Sequence, residues 1–179
     1  MTALTDPARH ATVSTPPGPF TVVVTTDADG RDVVLASGWT ADLDDLLPVV
    51  HPTLRPVSTL RVDDLPVLDV VEKFFAGDVT AIDDVAVRQR SGPFLTEAWE
   101  ILRTVPAGHP DSYASFAARC GRPAAVGPED PVTGHEQRGG VAGTRVGRGP
   151  DGGLGGFRWG TPVKRWLLDH EAEHAPVAA

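Results

Sequence analysis

Residues 152–171 read GGLGGFRWGTPVKRWLLDHE, a glycine-rich stretch that leads directly into an amphipathic helix. Five of its first nine residues are glycine, and three larger side chains stand among them: Phe157, Arg158 and Trp159. Thr161 is suited to cap the helix, and Pro162 suits its first helical position. Helical spacing predicts a buried stripe formed by Val163, Trp166, Leu167 and His170. The stretch therefore predicts a glycine hairpin followed by a helix.

The composition is that of a soluble globular protein, with 41% hydrophobic and 22% charged residues in a chain of 179. This length supports one ordinary core or two small domains. No apolar run approaches the roughly 18–20 residues that a membrane span needs, and no signal peptide is indicated. The single cysteine, Cys120, excludes an intramolecular disulfide, so we expect a cytoplasmic protein without a membrane partner.

Charge is distributed unevenly along the chain, whose formal net charge is -8. Residues 1–87 contain 5 Lys/Arg and 14 Asp/Glu, a net of -9, whereas residues 88–171 contain 11 and 9, a net of +2. The overall charge argues against strong nonspecific binding of nucleic acid. The asymmetry indicates either an anionic partner for the second half or a mildly basic surface.

The first half predicts a flexible arm followed by a small αβ domain. Four prolines among small polar residues favour an arm over residues 1–19. The domain over residues 20–87 is predicted to begin with a hairpin of strands 20–26 and 32–39, followed by a helix capped by Thr40. A second helix runs from near Asp63 to Gly77 and has Leu68, Val71 and Phe75 on its apolar face. A strand over residues 79–87 ends the domain.

The second half predicts a mostly helical domain over residues 88–171, followed by a tail over residues 172–179. Phe94, Ala98, Ile101 and Val105 share one helical face. Ser112 can cap a second helix, and the turn at residues 121–123 leads into a third segment. This order outlines a helix-turn-helix, although any pair of antiparallel helices would give the same pattern. Residues 127–149 contain seven glycines and two prolines, so we expect the segment 127–150 to be the least ordered internal part.

Two short motifs offer competing catalytic interpretations. GRGPDG at residues 147–152 matches GxGxxG, but a hairpin follows it where a dinucleotide site needs a helix, so we reject it. HEAEH at residues 170–174 matches HExxH, in which His170 and His174 would bind zinc and Glu171 would act as base. The other histidines lie in predicted loops or in the arm. A charged helix end is therefore favoured over a zinc hydrolase, and we expect neither a metal nor a cofactor.

Three blocks, taken in order, carry a more specific signal: SGPFLTEAWEILRTVPAG at 91–108, SYASFAARCGRPAAV at 112–126 and DGGLGGFRWGTPVKRWLLDHE at 151–171. Together they resemble the methylated-DNA–protein-cysteine methyltransferase family, the alkylguanine-DNA alkyltransferases. Members of this family repair DNA by moving an alkyl group from the 6-oxygen of guanine to a protein cysteine. The resemblance is dense over residues 85–126 and 151–171 and looser over residues 18–84.

The resemblance implies a role for several residues. The helix-turn-helix would enter the minor groove of double-stranded DNA and the alkylated guanine would be flipped out of the stack. Tyr113, Arg122 and Arg145 would contact DNA. Tyr113 would also line the alkylguanine pocket, whose wall would be formed by Phe157, Arg158 and Trp159. Glycine suits such a wall because backbone without a Cβ can approach a planar base closely. Glu171 would orient the catalytic histidine.

The segment between the blocks departs from the family pattern, in which the PCHR motif supplies the acceptor cysteine and its histidine. The best alignment places Ala142, Gly143, Thr144 and Arg145 at that motif, so only the arginine is retained. Gly127 stands where the family has an intercalating arginine, and Glu136 stands near its asparagine hinge. A compensated frameshift and divergence after loss of function both account for this, and translating the coding DNA in its other two frames would separate them.

Cys120 lies outside the motif, and a lone cysteine in a helix is most often a small buried hydrophobe. Together these observations predict an α+β fold and a monomeric relative of the alkyltransferases that lacks the transfer activity, because Gly143 cannot accept an alkyl group. The alternative is a noncatalytic module that binds alkylated DNA. We expect DNA binding to be weak or lost, because the altered segment contains Glu129 and Asp130 and is broken by two prolines.

Overall fold

A computed structural model describes residues 7–122, 145–148, 153–154 and 157–176. The sequence predictions for residues 127–144, including those for Gly127, Glu136 and Gly143, lie outside the described residues. The predicted loss of order over 127–150 is wrong for residues 145–148, where Val146–Arg148 forms a paired strand and Arg145 is buried. For the rest of that segment it stays a prediction, as does the second helix of the helix-turn-helix. So do the domain boundary near residue 87 and the monomeric state. No helix among the described residues is long and apolar enough to cross a membrane.

The first half contains a four-stranded mixed sheet with strand order β3-β2-β1-β4. Its strands are β1 (Ala8–Thr15), β2 (Gly18–Thr26), β3 (Asp32–Gly38) and β4 (Thr59–Arg61). Both β1 and β3 pair with β2 in the antiparallel sense, and β4 pairs with β1 in the parallel sense. The predicted β2–β3 hairpin is confirmed.

The flexible arm predicted for residues 1–19 is wrong for residues 8–19. Residues 8–15 form β1, which pairs along its length with β2. The prolines indicated an arm, but Pro16 and Pro17 occupy the turn between the two strands and do not interrupt either strand. Proline fits such a turn, and the stretch ARHATVST of β1 contains none.

Short helices replace two other predicted elements. The acidic stretch after Thr40 forms only a 3-10 turn, Leu43–Asp45, which Asp42 caps in place of Thr40. The strand predicted over residues 79–87 is wrong, because Ala81–Asp84 is a 3-10 helix and only Val87 bridges to β3. Helix α1 (Pro66–Phe75) is confirmed, and Gly77 follows it with a positive φ of 107°. Its buried face carries Leu68, Val71 and Phe74, so Phe74 replaces the predicted Phe75.

Among its described residues, the second half contains three helices and two short strands. The helices are α2 (Pro93–Arg103), α3 (Tyr113–Arg119) and α4 (Thr161–His174). The strands β5 (Asp111–Ser112) and β6 (Val146–Arg148) pair in the parallel sense. The predicted cap of α3 is confirmed, because the Ser112 side chain accepts a hydrogen bond from the Ser115 N–H. Helix α4 is capped by Gly160, and Thr161 is its first residue.

The apolar interior joins the two halves. The largest cluster combines sheet residues such as Val22 and Val24 with Phe74 of α1 and Leu167 of α4. A second cluster fills the other face of the sheet, and a third lies between α2 and α3. Helix α4 therefore packs on the N-terminal half, although α2, α3 and β6 lie between them in the chain. The predicted α+β fold is confirmed.

Candidate functional site

Phe157 and Trp159, from the predicted glycine hairpin, pack on the N-terminal sheet. The ring of Phe157 lies 6.2 Å from that of Trp39, measured between centroids. The indole of Trp159 covers Gly38, where an added Cβ would lie only 2.0 Å from the ring. Arg158 Nη2 donates a hydrogen bond to the Asp45 carbonyl oxygen at 3.0 Å. The three predicted pocket residues are thus brought together, with contacts to β3 and the turn after it.

Tyr113 lies in a different place. It begins α3 and is buried with Leu102, Val105 and Phe116 in the third apolar cluster. Phe157 and Trp159 instead border the cluster of the N-terminal sheet. The described residues therefore do not unite Tyr113 with the hairpin in one apolar cluster, and the roles of these residues toward alkylguanine stay predictions.

Arg145 is almost fully buried and bonds to four groups from distant parts of the chain. Its Nε donates to Glu171 Oε1 at 2.9 Å. Its Nη1 donates to Asp83 Oδ1 at 2.9 Å and to the Val105 carbonyl oxygen at 3.1 Å. Its Nη2 donates to the Val79 carbonyl oxygen at 3.2 Å. We call Arg145 and these four partners the Arg145 junction.

The sequence linked Arg145 with DNA and Glu171 with a histidine, but it did not predict that they would bond to each other. It did not identify Asp83, Val79 or Val105 as partners of Arg145. They lie 62, 66 and 40 residues from Arg145, and two of them contribute only main-chain oxygens. No local pattern marks such partners. A buried guanidinium in contact with main-chain carbonyls has little capacity left for phosphate, so the structure does not favour Arg145 as a DNA contact.

Glu171 is fully buried in α4. Burial raises the pKa of its carboxyl. Two effects oppose that rise: the charge and hydrogen bond of Arg145, and a hydrogen bond from the N–H of Gly108. Oε1 accepts the bond from Arg145, whereas Oε2 has no hydrogen-bond partner among the described residues. The carboxyl is therefore held firmly in one orientation, and it can act as an acceptor toward a group placed beside Oε2.

Cys120 is half-buried at the C-terminal end of α3 and packs against the cluster of Leu102, Val105, Tyr113 and Phe116. Burial raises the pKa of its thiol, and the negative charge of Glu97 raises it further. A cysteine nucleophile requires the opposite shift, since the thiolate is the reactive form. The structure therefore gives Cys120 the surroundings of a packing residue.

Two arginines of α3 and the turn after it already have partners. The Arg122 guanidinium lies 3.8 Å from the centroid of the Phe94 ring. Arg119 Nε lies 2.6 Å from Asp111 Oδ2. Arg122 is exposed, so it can still reach a phosphate, although doing so would remove the stacking on Phe94.

The geometry of the HEAEH stretch does not fit a zinc site. His170 Nε2 lies 2.8 Å from the Phe74 carbonyl oxygen, and a carbonyl can only accept, so Nε2 carries the proton. The ring also stacks on Trp166, with centroids 4.8 Å apart. Glu171 is fully buried and bonds to Arg145 through Oε1, whereas a zinc hydrolase needs its base in an open cleft. In the part of the chain that the structure describes, no group of three His, Cys, Asp or Glu could hold a metal ion. Of the GRGPDG stretch, Gly147 and Arg148 lie in β6 and the rest is outside the described residues.

Residues 93–173 match a family of domains described as 6-O-methylguanine DNA methyltransferase, DNA binding domain. The chain is 32% identical to a methylated-DNA–protein-cysteine methyltransferase of Shigella flexneri over 103 residues, which are 58% of this chain and 60% of that protein. It is 33% identical to the protein of the same name from Salmonella typhimurium, over equal shares. The aligned part thus spans about three-fifths of the length of these relatives.

Solved structures agree on the fold. A variant of the M. tuberculosis O6-methylguanine methyltransferase superposes with a TM-score of 0.71 at 25% identity, and the match covers 96% of each chain. The M. tuberculosis OGT in complex with DNA gives a TM-score of 0.69 at 24% identity, over 94% of this chain and 95% of that one. The likeness extends across both halves, including the N-terminal sheet, where the sequence resemblance is looser.

Proposed function

We propose that this chain, whose residues 93–173 match the DNA-binding domain of 6-O-methylguanine DNA methyltransferase, does not transfer an alkyl group from DNA to its own cysteine. The transfer needs a thiolate that attacks the alkyl carbon of the modified guanine. Bond formation to sulfur and release of the guanine oxygen then complete one turnover. In the sequence alignment the framework around this step is retained, and Gly143 stands where the acceptor cysteine would be.

The surroundings of Cys120 are the main support for this proposal. Cys120 is the only cysteine of the sequence. It lies at the end of α3, is packed against apolar side chains and has a thiol pKa that burial raises. At the aligned acceptor position stands Gly143, which has no side chain. A transfer would therefore have to use a thiol that is mostly protonated at neutral pH and held in a packing role.

The engagement of Glu171 gives independent support. In the family resemblance this carboxylate orients the histidine that activates the cysteine. Here one of its oxygens accepts a hydrogen bond from Arg145, and the residue aligned with the histidine is Thr144. A threonine hydroxyl cannot act as a base near neutral pH, so the carboxylate has no base to orient at that position.

The test is incubation of the full chain with duplex DNA that contains isotopically labelled O6-methylguanine, followed by measurement of the intact protein mass. We expect no gain of a methyl group, while an alkyltransferase that has the PCHR motif gains one under the same conditions. The Cys120→Ser variant serves as the matched control. A methyl adduct that forms on the unmodified chain and disappears in that variant would overturn the proposal.

A second function, binding of alkylated DNA without transfer, is favoured by the intact first helix of the predicted helix-turn-helix. Ser112 caps the N-terminal end of α3, the first helix of the predicted pair. The exposed Arg122 follows the C-terminal end of the same helix. We expect this binding to be weak, because Arg119 is paired with Asp111 and the whole chain carries a net charge of -8.

Fluorescence anisotropy with matched duplexes containing guanine or O6-methylguanine would measure this binding at low and physiological salt. A preference for the methylated duplex, lost in Arg122→Ala and kept in Arg90→Ala, would support a lesion-binding module. A specific complex at nanomolar protein in physiological salt would contradict weak binding. If both duplexes bind equally and the affinity depends strongly on salt, the binding is nonspecific and electrostatic.

A further inference from the structure

A cavity of about 170 Å³ lies between the N-terminal sheet, α1 and α2. Its walls include Val22 of β2, Val34 of β3, Val67 and Val71 of α1, and Leu102 of α2. It therefore lies where the N-terminal half meets the first helix of the family's DNA-binding domain. The block at residues 91–108 contributes to its wall, whereas the stretch 152–171 and the Arg145 junction contribute no residue.

Most of the cavity lining is apolar, and its polar residues are Ser37, Gln89, Thr96, Glu100 and Arg103. The Arg103 guanidinium donates to the carbonyl oxygens of Asp83, at 2.7 Å, and Val85, at 2.8 Å. Glu100 and Thr96 are exposed and mark the side on which the cavity meets solvent. The buried charged residues among the described ones are Arg145, Lys164, His170 and Glu171, and none of them lines the cavity. Of the two charged side chains in the lining, Arg103 is engaged by two carbonyl oxygens, and the Glu100 carboxylate at the opening would repel an anionic ligand.

Size and chemistry together define the occupant. Protein interiors leave few voids larger than a water molecule, and a buried water needs two to four polar partners. An apolar cavity of roughly 150 Å³ in another protein stays dry and binds benzene. We propose that this cavity is a binding site for a small uncharged aromatic molecule of about the size of benzene. The ligand would contact β3, α1 and α2 at once, so its binding would stabilise both halves together.

Thermal unfolding of the full chain with benzene as the probe is the first test. A ligand that binds only the folded state raises Tm, and we expect a rise of about 3 °C or more near saturation. Benzoate has the same ring and a negative charge, so it should give no rise. An absent benzene effect, or an equal rise with benzoate, would overturn the proposal.

Methyl NMR of the unmodified chain locates the binding and requires no variant. Benzene should shift the methyl resonances of Val22, Val34 and Val71, which line the cavity. It should leave those of Val23 unchanged, because Val23 is buried in the second cluster on the other face of the sheet. Shifts confined to Val23 or to residues outside the cavity would show that benzene binds elsewhere.

A matched pair of variants adds an independent test. Val67 and Val13 both pack, half-buried, against the largest cluster, but only Val67 lines the cavity. In Val67→Phe the new ring should occupy the cavity and abolish the benzene-induced rise in Tm. Val13→Phe should keep that rise. Equal responses of the two folded variants would contradict the site, and if Val67→Phe fails to fold, the methyl shifts decide.

Discussion

The N-terminal sheet and the Arg145 junction are both buried, but different forces stabilise them. Val22, Val23 and Val24 of β2 are at most 1% exposed and pack against apolar side chains on both faces of the sheet. Arg145 and Glu171 are equally buried, yet they are charged groups that depend on specific hydrogen bonds. The sheet is stabilised by removal of apolar area from water, whereas the junction balances a large desolvation cost against paired charges.

This difference teaches how each region responds to change. Apolar packing is nondirectional, so the loss of one contact has a graded cost that depends on the cavity left behind. The junction fails as a unit, because removing one partner leaves buried charge and carbonyl groups unpaired. It also joins α4 to Asp83 and Val105, so it connects the two halves of the molecule alongside the largest apolar cluster.

Replacing Arg145 by methionine should have the largest effect. We expect the free energy of unfolding to fall by about 3–5 kcal/mol, because the Glu171 carboxylate loses its donor and stays buried. Urea unfolding at neutral pH measures this loss. The matched control is Arg119→Met, which breaks a pair with Asp111 that is half-exposed on the arginine side and should cost about 1 kcal/mol or less.

The double variant Arg145→Met with Glu171→Leu sharpens this prediction. Replacing a buried ion pair by apolar residues is often neutral or stabilising, so the double variant should recover much of the stability lost in the single one. If the double variant is as unstable as Arg145→Met alone, the unpaired carboxylate is not the cause of the loss.

Leu65→Ala tests the apolar side of the comparison. Leu65 is fully buried in the largest cluster, and truncation should lower the free energy of unfolding by about 3 kcal/mol. Leu60→Ala is the control, because Leu60 is 55% exposed and should lose no more than about 0.5 kcal/mol. Similar losses in the two variants would mean that the cluster around Leu65 is not packed as described.

Gly38→Ala tests whether the hairpin is seated on the sheet. An alanine Cβ would lie 2.0 Å from the Trp159 ring, so the indole would have to move. We expect a loss of about 1–3 kcal/mol and faster hydrogen exchange over residues 157–160. Gly92→Ala is the control, since nothing lies within 4 Å of its added Cβ. Unchanged exchange in Gly38→Ala would show that Trp159 does not depend on this contact.

The pH dependence of the junction should be the smallest effect. Burial raises the folded-state pKa of Glu171 above its ordinary value of 4.5, so protonation is favoured by folding. Its contribution to stability is therefore fully present below about pH 4.5 and is lost as the pH rises through the raised pKa.

The difference in unfolding free energy between the unmodified chain and Glu171→Gln isolates this contribution. As the pH rises from about 4 to about 8, the unmodified chain should lose stability relative to Glu171→Gln, because glutamine cannot ionise. The corresponding difference for Leu65→Ala should stay constant over the same range. A Glu171→Gln difference that is flat, or that shifts the other way, would contradict the raised pKa.

Much of the fold follows from local sequence. The β-branched runs of β2 and β3 and the turn between them predict a hairpin, and α1, α2 and α3 follow from apolar periodicity with Ser112 as a cap. The ordered blocks of residues 91–108, 112–126 and 151–171 were sufficient for the family resemblance. These features depend on neighbours within a few residues, and such neighbours are visible in the sequence.

Other features required the folded chain. Residues 8–15 become a strand because β2 and β4 are there to pair with them, and residues 81–84 curl into a 3-10 helix despite a strand-like pattern. The site shows the same division. The sequence singles out Arg145 and Glu171 one by one, but only tertiary structure bonds them to each other and to Asp83, because burial and pairing are set by segments that are distant along the chain.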